Sequence, residues 1–354
     1  MDIRIERTVA PKIKPSSEHL GFGNLFSDHM FILDYTEGRG WHDARIVPYG
    51  ALPYEPSMMT FHYGQSIFEG LKAYRTHAGE IVMFRPDQNM RRLNESCDRL
   101  CIPRIDEAFC LEAMRRLVEL DQDWVPAAEN TSLYIRPFII ATDPYLGVRP
   151  SDTYQFIIIT GPVGAYYKEG LNPVKIWVES EYVRAVIGGL GQAKAAANYA
   201  ASLKAQVVAK KNGYTQVLWL DGIERKYIEE VGTMNVFFVL GDEVVTPMLN
   251  GSILPGITRK SSIELLRSWG LKVSERRLSI AEVYEAAERG ELHEAFGTGT
   301  AAVISPIGEL CWNGRVVTLS NGKIGPVSQR LYDEMTGIQY AVKADPFGWV
   351  YKVC

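Results

Sequence analysis

The strongest apolar stretches of this chain, such as residues 156–159, are no longer than part of one strand. That is far short of the ~20 residues needed to cross a bilayer. Runs of this length bury their side chains only by packing many short elements around shared cores, so the pattern demands a globular fold. Composition agrees: 46% apolar and 23% charged residues, with 31 Gly and 18 Pro, exclude a disordered, collagen-like or disulfide-framework protein. The 354 residues, at roughly 100 to 200 per domain, predict two domains. A turn-rich stretch carrying Gly170, Asn172 and Pro173 suggests the boundary. The expected division is a smaller N-terminal domain over 1–168, a linker over 169–175 and a larger C-terminal domain over 176–354.

Thirty-eight basic against 42 acidic residues give a formal charge of −4. No run of Lys and Arg is long enough to track nucleic-acid phosphates, so no nucleic-acid partner is expected. Residues 1–14 lack the apolar core of an export signal, which predicts an unexported, cytoplasmic protein with no membrane partner. Five cysteines without a C-x-x-C pair fit a reducing compartment. Cys97 and Cys101, four apart on an expected helix, read as core or half-buried thiols. Six histidines without ligand spacing predict no metal site.

Local pattern predicts a mixed α+β chain. Short strands and turns are expected over 54–84, helices over 88–100 and 107–120, and strands over 133–141 and 154–160. The second half predicts a strand over 174–179, a Gly- and Ala-rich window over 188–201, a helix over 199–211 and a strand over 215–221. A hairpin is expected around Gly241 and Asp242, helices over 258–269 and from Ser279 to near Gly290, and a tight turn leading into a strand at 302–304. No G-x-G-x-x-G follows a strand, which disfavours a Rossmann domain.

Within the small-residue window, GGLGQAKAAANY over 188–199 places Lys194 among residues that cannot crowd it. A lysine is by default a solvated charge, and small residues also serve plain helix packing. Yet an amine that backbone can wrap closely, once desolvated, becomes a nucleophile toward carbonyls. Glu230, at a strand end before a Gly-Thr turn, can face a cationic ring nitrogen or be an exposed edge residue. The PGIT sequence at 255–258 opens a helix, and GTGT at 297–300 forms a small turn; both offer backbone N–H groups suited to a phosphate. An imine lysine, a ring-nitrogen carboxylate and a phosphate cradle together describe the binding needs of pyridoxal 5'-phosphate.

Eight ordered blocks then carry a resemblance: FHYGQSIFEGLKAY (61–74), FRPDQNMRRL (84–93), SLYIRP (132–137), GPVGAY (161–166), QVLWL (216–220), EVGTMN (230–235), LPGIT (254–258) and FGTGTA (296–301). The chain resembles the branched-chain amino acid aminotransferases, fold-type IV pyridoxal-phosphate enzymes, nearly end to end. The resemblance implies an α+β, two-domain fold with an N-terminal α/β domain, a C-terminal pseudo-barrel α/β domain and the site between them. It implies that Lys194 binds the cofactor aldehyde and shuttles the substrate proton, and that Glu230 keeps the pyridine nitrogen protonated. Tyr199 matches the tyrosine bonded to the cofactor O3′, and Arg92 the phosphate-binding arginine, aided by Ile257, Thr258 and Thr298, with Thr233 nearby. Without the family, Tyr199 reads as a core residue and Arg92 as a surface one. By the same resemblance Tyr63, Phe68, Tyr134 and Tyr166 line the side-chain pocket, Arg136 receives the second carboxylate of glutamate, and Thr300 and Ala301 offer donors to the α-carboxylate. A homodimer is implied, with Leu146, Gly147, Val148 and Tyr63 reaching the other subunit. Where vertebrate members carry a C-x-x-C pair, this chain has Ala302 and Ser305.

The implied activity is transfer of an amino group between L-leucine, L-isoleucine or L-valine and 2-oxoglutarate. The small-molecule partners are then branched-chain amino acids, glutamate and their 2-oxo acids. Discrimination among the aliphatic side chains is expected to be shallow, because one methylene changes binding by only ~1–3 kcal/mol. D-amino acid aminotransferases and aminodeoxychorismate lyases share the fold, and a non-enzymatic cofactor carrier is a further alternative.

Overall fold

The computed structural model describes residues 1–164 and 171–354. They divide into two compact units: Met1–Tyr166 with Ala193–Ala197 and Gly337–Cys354, and Tyr167–Gln192 with Asn198–Thr336. The units are not consecutive in sequence, unlike a division at a single linker. The Lys194 segment and the C-terminal strand belong with the first unit. Val174, inside the expected linker, already begins a strand.

The first unit is built on a nine-stranded sheet. At its centre Ser132–Ala141 lies antiparallel to Thr153–Val163, with Arg136 opposite Ile159. The strand Leu71–Arg75 pairs with the start of Ser132–Ala141, and Ser66–Phe68 with its end. Because strand side chains alternate between faces, Leu133, Ile135 and Ile139 enter the core, whereas Tyr134, Arg136, Phe138 and Ile140 remain half-buried on the other face. Two helices cover the core face. Pro86–Arg99 begins with proline, whose missing N–H costs nothing in a first turn. Glu107–Leu120 starts where expected because the Asp106 side chain accepts the Phe109 N–H at 2.7 Å. Met90, Leu93 and Cys97 of one helix and Cys110, Met114 and Leu117 of the other join Phe31, Leu133 and Phe156 in one cluster. The C-terminal strand Val350–Lys352 closes one edge by pairing with Ile81–Phe84.

In the second unit six strands close on themselves. Ile228–Val231, Gln216–Leu220, Val174–Val178, Val303–Trp312, Leu292–Gly299 and Met234–Leu240 follow one another, and Glu230 pairs with Asn235 to complete the ring. Closure removes the free edges of an open sheet. Phe237 stacks on Phe296 of the adjacent strand, with centroids 5.3 Å apart, and Trp219 is fully buried with its Nε1–H donated to the Gly232 carbonyl. The helix Ala196–Lys211 lays Ala205 and Ala209 against Val217 and Trp219, so part of its alanine content serves packing. It begins three residues before the expected 199, which places Tyr199 inside it. The capping box forms as expected: Ser279 accepts the Glu282 N–H at 3.1 Å and opens Ile280–Glu288.

The first 53 residues carry three strands that local pattern does not assign, Arg4–Ile5, His29–Thr36 and Gly40–Pro48. The strand at 302–304 proves much longer, Val303–Trp312. Among the described residues no helix is long and apolar enough to cross a membrane.

Candidate functional site

Lys194 is held by backbone on both sides. Its N–H donates to Ser96 Oγ at 2.9 Å, its carbonyl accepts the Phe68 N–H at 3.1 Å, and Ala195 bridges to Ile67. The buried Ala193 and Ala195 flank it, so neither adjacent side chain competes for the space of its amine. Nζ lies 4.9 Å from the centre of the Phe68 ring. This is a half-buried, positioned amine rather than a solvated surface charge.

Beside it stands an acid outside the expected site residues. Glu69 is fully buried and holds Arg92 by two bonds, to Nε at 2.7 Å and to Nη2 at 2.8 Å, while Asn89 donates to it at 2.8 Å. Burial pushes the Glu69 carboxyl toward its neutral form, but the Arg92 guanidinium, the Lys194 charge and the Asn89 hydrogen bond outweigh it and hold the acid below the ordinary range. Arg92 is thus a buried, oriented guanidinium, not a surface helix arginine. An acid inside the otherwise apolar and small run IFEGL (67–71) was the available signal.

The half-buried face of the sheet carries three of the expected pocket residues, Phe68, Tyr134 and Arg136. Arg136 packs its guanidinium 4.5 Å from the Phe68 ring centre and donates from Nη2 to the Tyr134 hydroxyl at 3.0 Å; its Nε is buried without a hydrogen bond among the described residues. Tyr134 reaches Gly70 so closely that a Cβ there would lie 2.1 Å from its hydroxyl. Tyr63 is 42% exposed and donates to the Leu146 carbonyl, tying it to a loop whose Leu146 and Val148 are 61% and 86% exposed. Tyr166 lies outside the described residues.

In the second unit Glu230 is buried, with one oxygen accepting the Leu254 N–H at 2.8 Å and the other 3.3 Å from Arg184 Nε. The Arg184 guanidinium is anchored in turn on the Ser252 carbonyl. The adjacent Glu229 is also buried, on the opposite face of the strand. Burial raises its carboxyl above the ordinary range although the Ser252 hydroxyl and Arg184 oppose the shift. Two neighbouring acids therefore meet different surroundings: Glu230 lies against Arg184 Nε and the Leu254 N–H, Glu229 against the Ser252 hydroxyl. Arg184 and Ser252 had no distinguishing sequence signal.

The helix Ile257–Ser268 starts at Gly256, where no side chain caps it. The N–H groups of its first turn, including those of Ile257 and Thr258, have no acceptor within the helix. Thr298 is buried, and its Oγ1 makes no hydrogen bond among the described residues. Uncapped N–H groups and an orphaned hydroxyl are what a bound phosphate satisfies. Thr233 is exposed in the turn after Glu230, Tyr199 is half-buried in its helix, and Thr300 and Ala301 form the turn after Thr298. The residues present thus fit pyridoxal phosphate: an amine for its aldehyde, an acid for its ring nitrogen and donors for its phosphate.

Comparison with known proteins gives the same answer. Residues 66–310 match the family described as amino-transferase class IV. The chain is 60% identical over 351 residues to branched-chain-amino-acid aminotransferase 2 of Bacillus subtilis (strain 168), covering 99% of this chain and 97% of that one. It is 58% identical over 352 residues to branched-chain-amino-acid transaminase 1 of the same organism, covering 99% of each. Among solved structures, the Escherichia coli branched-chain amino acid aminotransferase superposes with a TM-score of 0.77 at 30% identity, covering 92% of this chain and 99% of that one. The branched-chain aminotransferase of the archaeon Thermoproteus uzoniensis, solved with norvaline, gives 0.77 at 25% identity, covering 92% and 100%. A class IV aminotransferase, dependent on pyridoxal phosphate, is therefore the class that fold and residues define. Within that class the chain belongs to the branched-chain-amino-acid aminotransferase family.

Proposed function

We propose that the protein transfers the amino group between L-leucine, L-isoleucine or L-valine and 2-oxoglutarate, with Lys194 as its catalytic base. The observation that carries this reading is the fixed, half-buried Lys194 between Ser96 and Phe68. When bound, pyridoxal phosphate supplies an aldehyde and an electron-withdrawing ring, which no side chain offers. Lys194 Nζ would hold that aldehyde, and would take and return the α-proton of the substrate. Glu230, beside Arg184, would face the ring nitrogen, and Tyr199 would donate to the ring hydroxyl. Arg92, oriented by Glu69, would be a phosphate ligand, as would the N–H groups of Ile257 and Thr258, the hydroxyl of Thr298, and Thr233. Thr300 and Ala301 offer donors to the α-carboxylate.

Phe68, Tyr63, Tyr134 and Tyr166 would give the substrate side chain aromatic walls. Arg136, already bonded to Tyr134, supplies a cation when that side chain ends in a carboxylate. We further propose a homodimer, supported by the exposed apolar group Phe61, Tyr63, Tyr145, Leu146 and Val148, with the Tyr63 hydroxyl tying that loop in place. The five free cysteines support a reducing, cytoplasmic setting.

The test is to incubate the purified protein with L-leucine and 2-oxoglutarate, with D-alanine as the competing donor. Glutamate and 4-methyl-2-oxopentanoate should form from L-leucine only, and Lys194→Ala should abolish both while the far-UV spectrum stays folded. Turnover with D-alanine alone, or normal turnover by Lys194→Ala, would overturn the reading.

A further inference from the structure

We infer that Lys72 is a second cation of the substrate face, recruited with Arg136 when the substrate carries a second carboxylate. This inference rests on the aminotransferase reading and extends it to how one face serves both an aliphatic and a dicarboxylic side chain.

The placement follows from strand register. Lys72 lies directly opposite Tyr134 in the antiparallel pair of Leu71–Arg75 with Ser132–Ala141, and Phe68 lies opposite Phe138. Opposed residues of an antiparallel pair project to the same face, as do alternate residues along a strand. Lys72, Tyr134, Arg136, Phe138 and Phe68 therefore share one face, away from the Leu71, Ala73, Leu133 and Ile135 core. Phe68 on that face carries the Arg136 guanidinium at 4.5 Å and Lys194 Nζ at 4.9 Å. Among the described residues, the titratable and charged groups toward this face include Tyr74 on the same strand with the Tyr340 ring packed on it at 4.9 Å, Tyr134 and Arg136 on the neighbouring strand, and Lys194 beside Phe68, while Glu69 holds Arg92.

Lys72 is only 8% exposed, and burial brings its ammonium down to about 8. A buried lysine in that range carries its charge conditionally. Below about pH 8 it is a cation able to receive a carboxylate. Above that it is a neutral amine, and its four-carbon stem adds apolar lining. Arg136 is the other cation of the pair. An aliphatic side chain gains nothing from a protonated Lys72, whereas a dicarboxylate does. Selectivity for glutamate over leucine should accordingly be lost as pH rises through about 8.

The experiment uses the holoenzyme and two unreactive acids, glutarate and 4-methylpentanoate, with dissociation constants read by calorimetry from pH 6.5 to 9.5. The ratio of the two constants cancels any group that the acids share. For wild type the preference for glutarate should fall about tenfold per pH unit above 8. Lys72→Arg should keep the preference flat across the range, because its charge does not titrate. Lys72→Met should start about ten- to hundred-fold lower and be flat, as expected for a lost charge-assisted bond. The kcat/KM ratio for glutamate over leucine should follow the same three curves. A wild-type ratio independent of pH, or a Lys72→Met ratio equal to wild type at pH 7, would overturn the inference. If Lys72→Met fails to fold, the contrast between wild type and Lys72→Arg still decides it. Failure of wild type to react with leucine at all would instead count against the aminotransferase reading.

Discussion

Glu69 illustrates how much one buried charge can decide. Replacing it with glutamine keeps shape but removes the countercharge of Arg92, which is itself buried. Breaking one side of such a pair costs ~3–5 kcal/mol, because the remaining ion stays desolvated. Glu69→Gln should therefore lower unfolding free energy by that order in a urea titration, and a change below about 1 kcal/mol would contradict the account. The pH dependence has a defined sign. The folded carboxyl is held below its ordinary range, so its contribution is complete above the unfolded value of ~4.3 and is lost as pH falls through the lower folded value. The stability gap between wild type and Glu69→Gln should therefore close in acid.

Among the elements, the helix Ile257–Ser268, the proposed phosphate cradle, has no room for a side chain at its entry. A Cβ at Gly256 would lie 1.9 Å from the Asn235 Oδ1, and Asn235 is held in place by its Nδ2 bond to the Leu254 carbonyl at 2.9 Å. Leu254 also donates its N–H to Glu230, so one displaced asparagine strains the helix entry and the acid together. Gly256→Ala should weaken cofactor binding by the apoprotein more than tenfold in a fluorescence titration, and unchanged affinity would remove the helix start from its role. The elements with strong local signals were legible in sequence. Glu107–Leu120 has the Asp106 cap and a repeating apolar stripe, and Ile280–Glu288 has its capping box. The strands His29–Thr36 and Gly40–Pro48 were not, because their polar and apolar residues alternate only in part; pairing of the first with Thr153–Val163, and of the second with the first, decides them.

For the whole molecule, the exposed loop Leu146 to Val148 with Phe61 and Tyr63 is where assembly is to be tested. Replacing Leu146 with aspartate puts a charge into an apolar contact that would have to be desolvated. In sedimentation the wild type should behave as a dimer, and Leu146→Asp should shift toward monomer with parallel loss of turnover. A fully active monomer would refute both the dimer and the proposed reach of this loop.

Sequence alone singled out the candidate residues for the chemistry. Lys194 stands out because small neighbours surround it, Glu230 because a Gly-Thr turn follows, and the helix start because a Pro-Gly pair precedes it; each signal is local and needs only a few adjacent residues. Tertiary structure decided what those residues answer to. Arg92 is paired with Glu69 across 23 positions and Lys194 with Ser96 across 98, while Glu230 meets Arg184 from a different strand-and-loop neighbourhood altogether. It also returned residues 193–197 and 337–354 to the first unit. Charge pairing and strand register act through space, and a linear pattern carries no record of which distant groups the folded sheets bring within bonding distance.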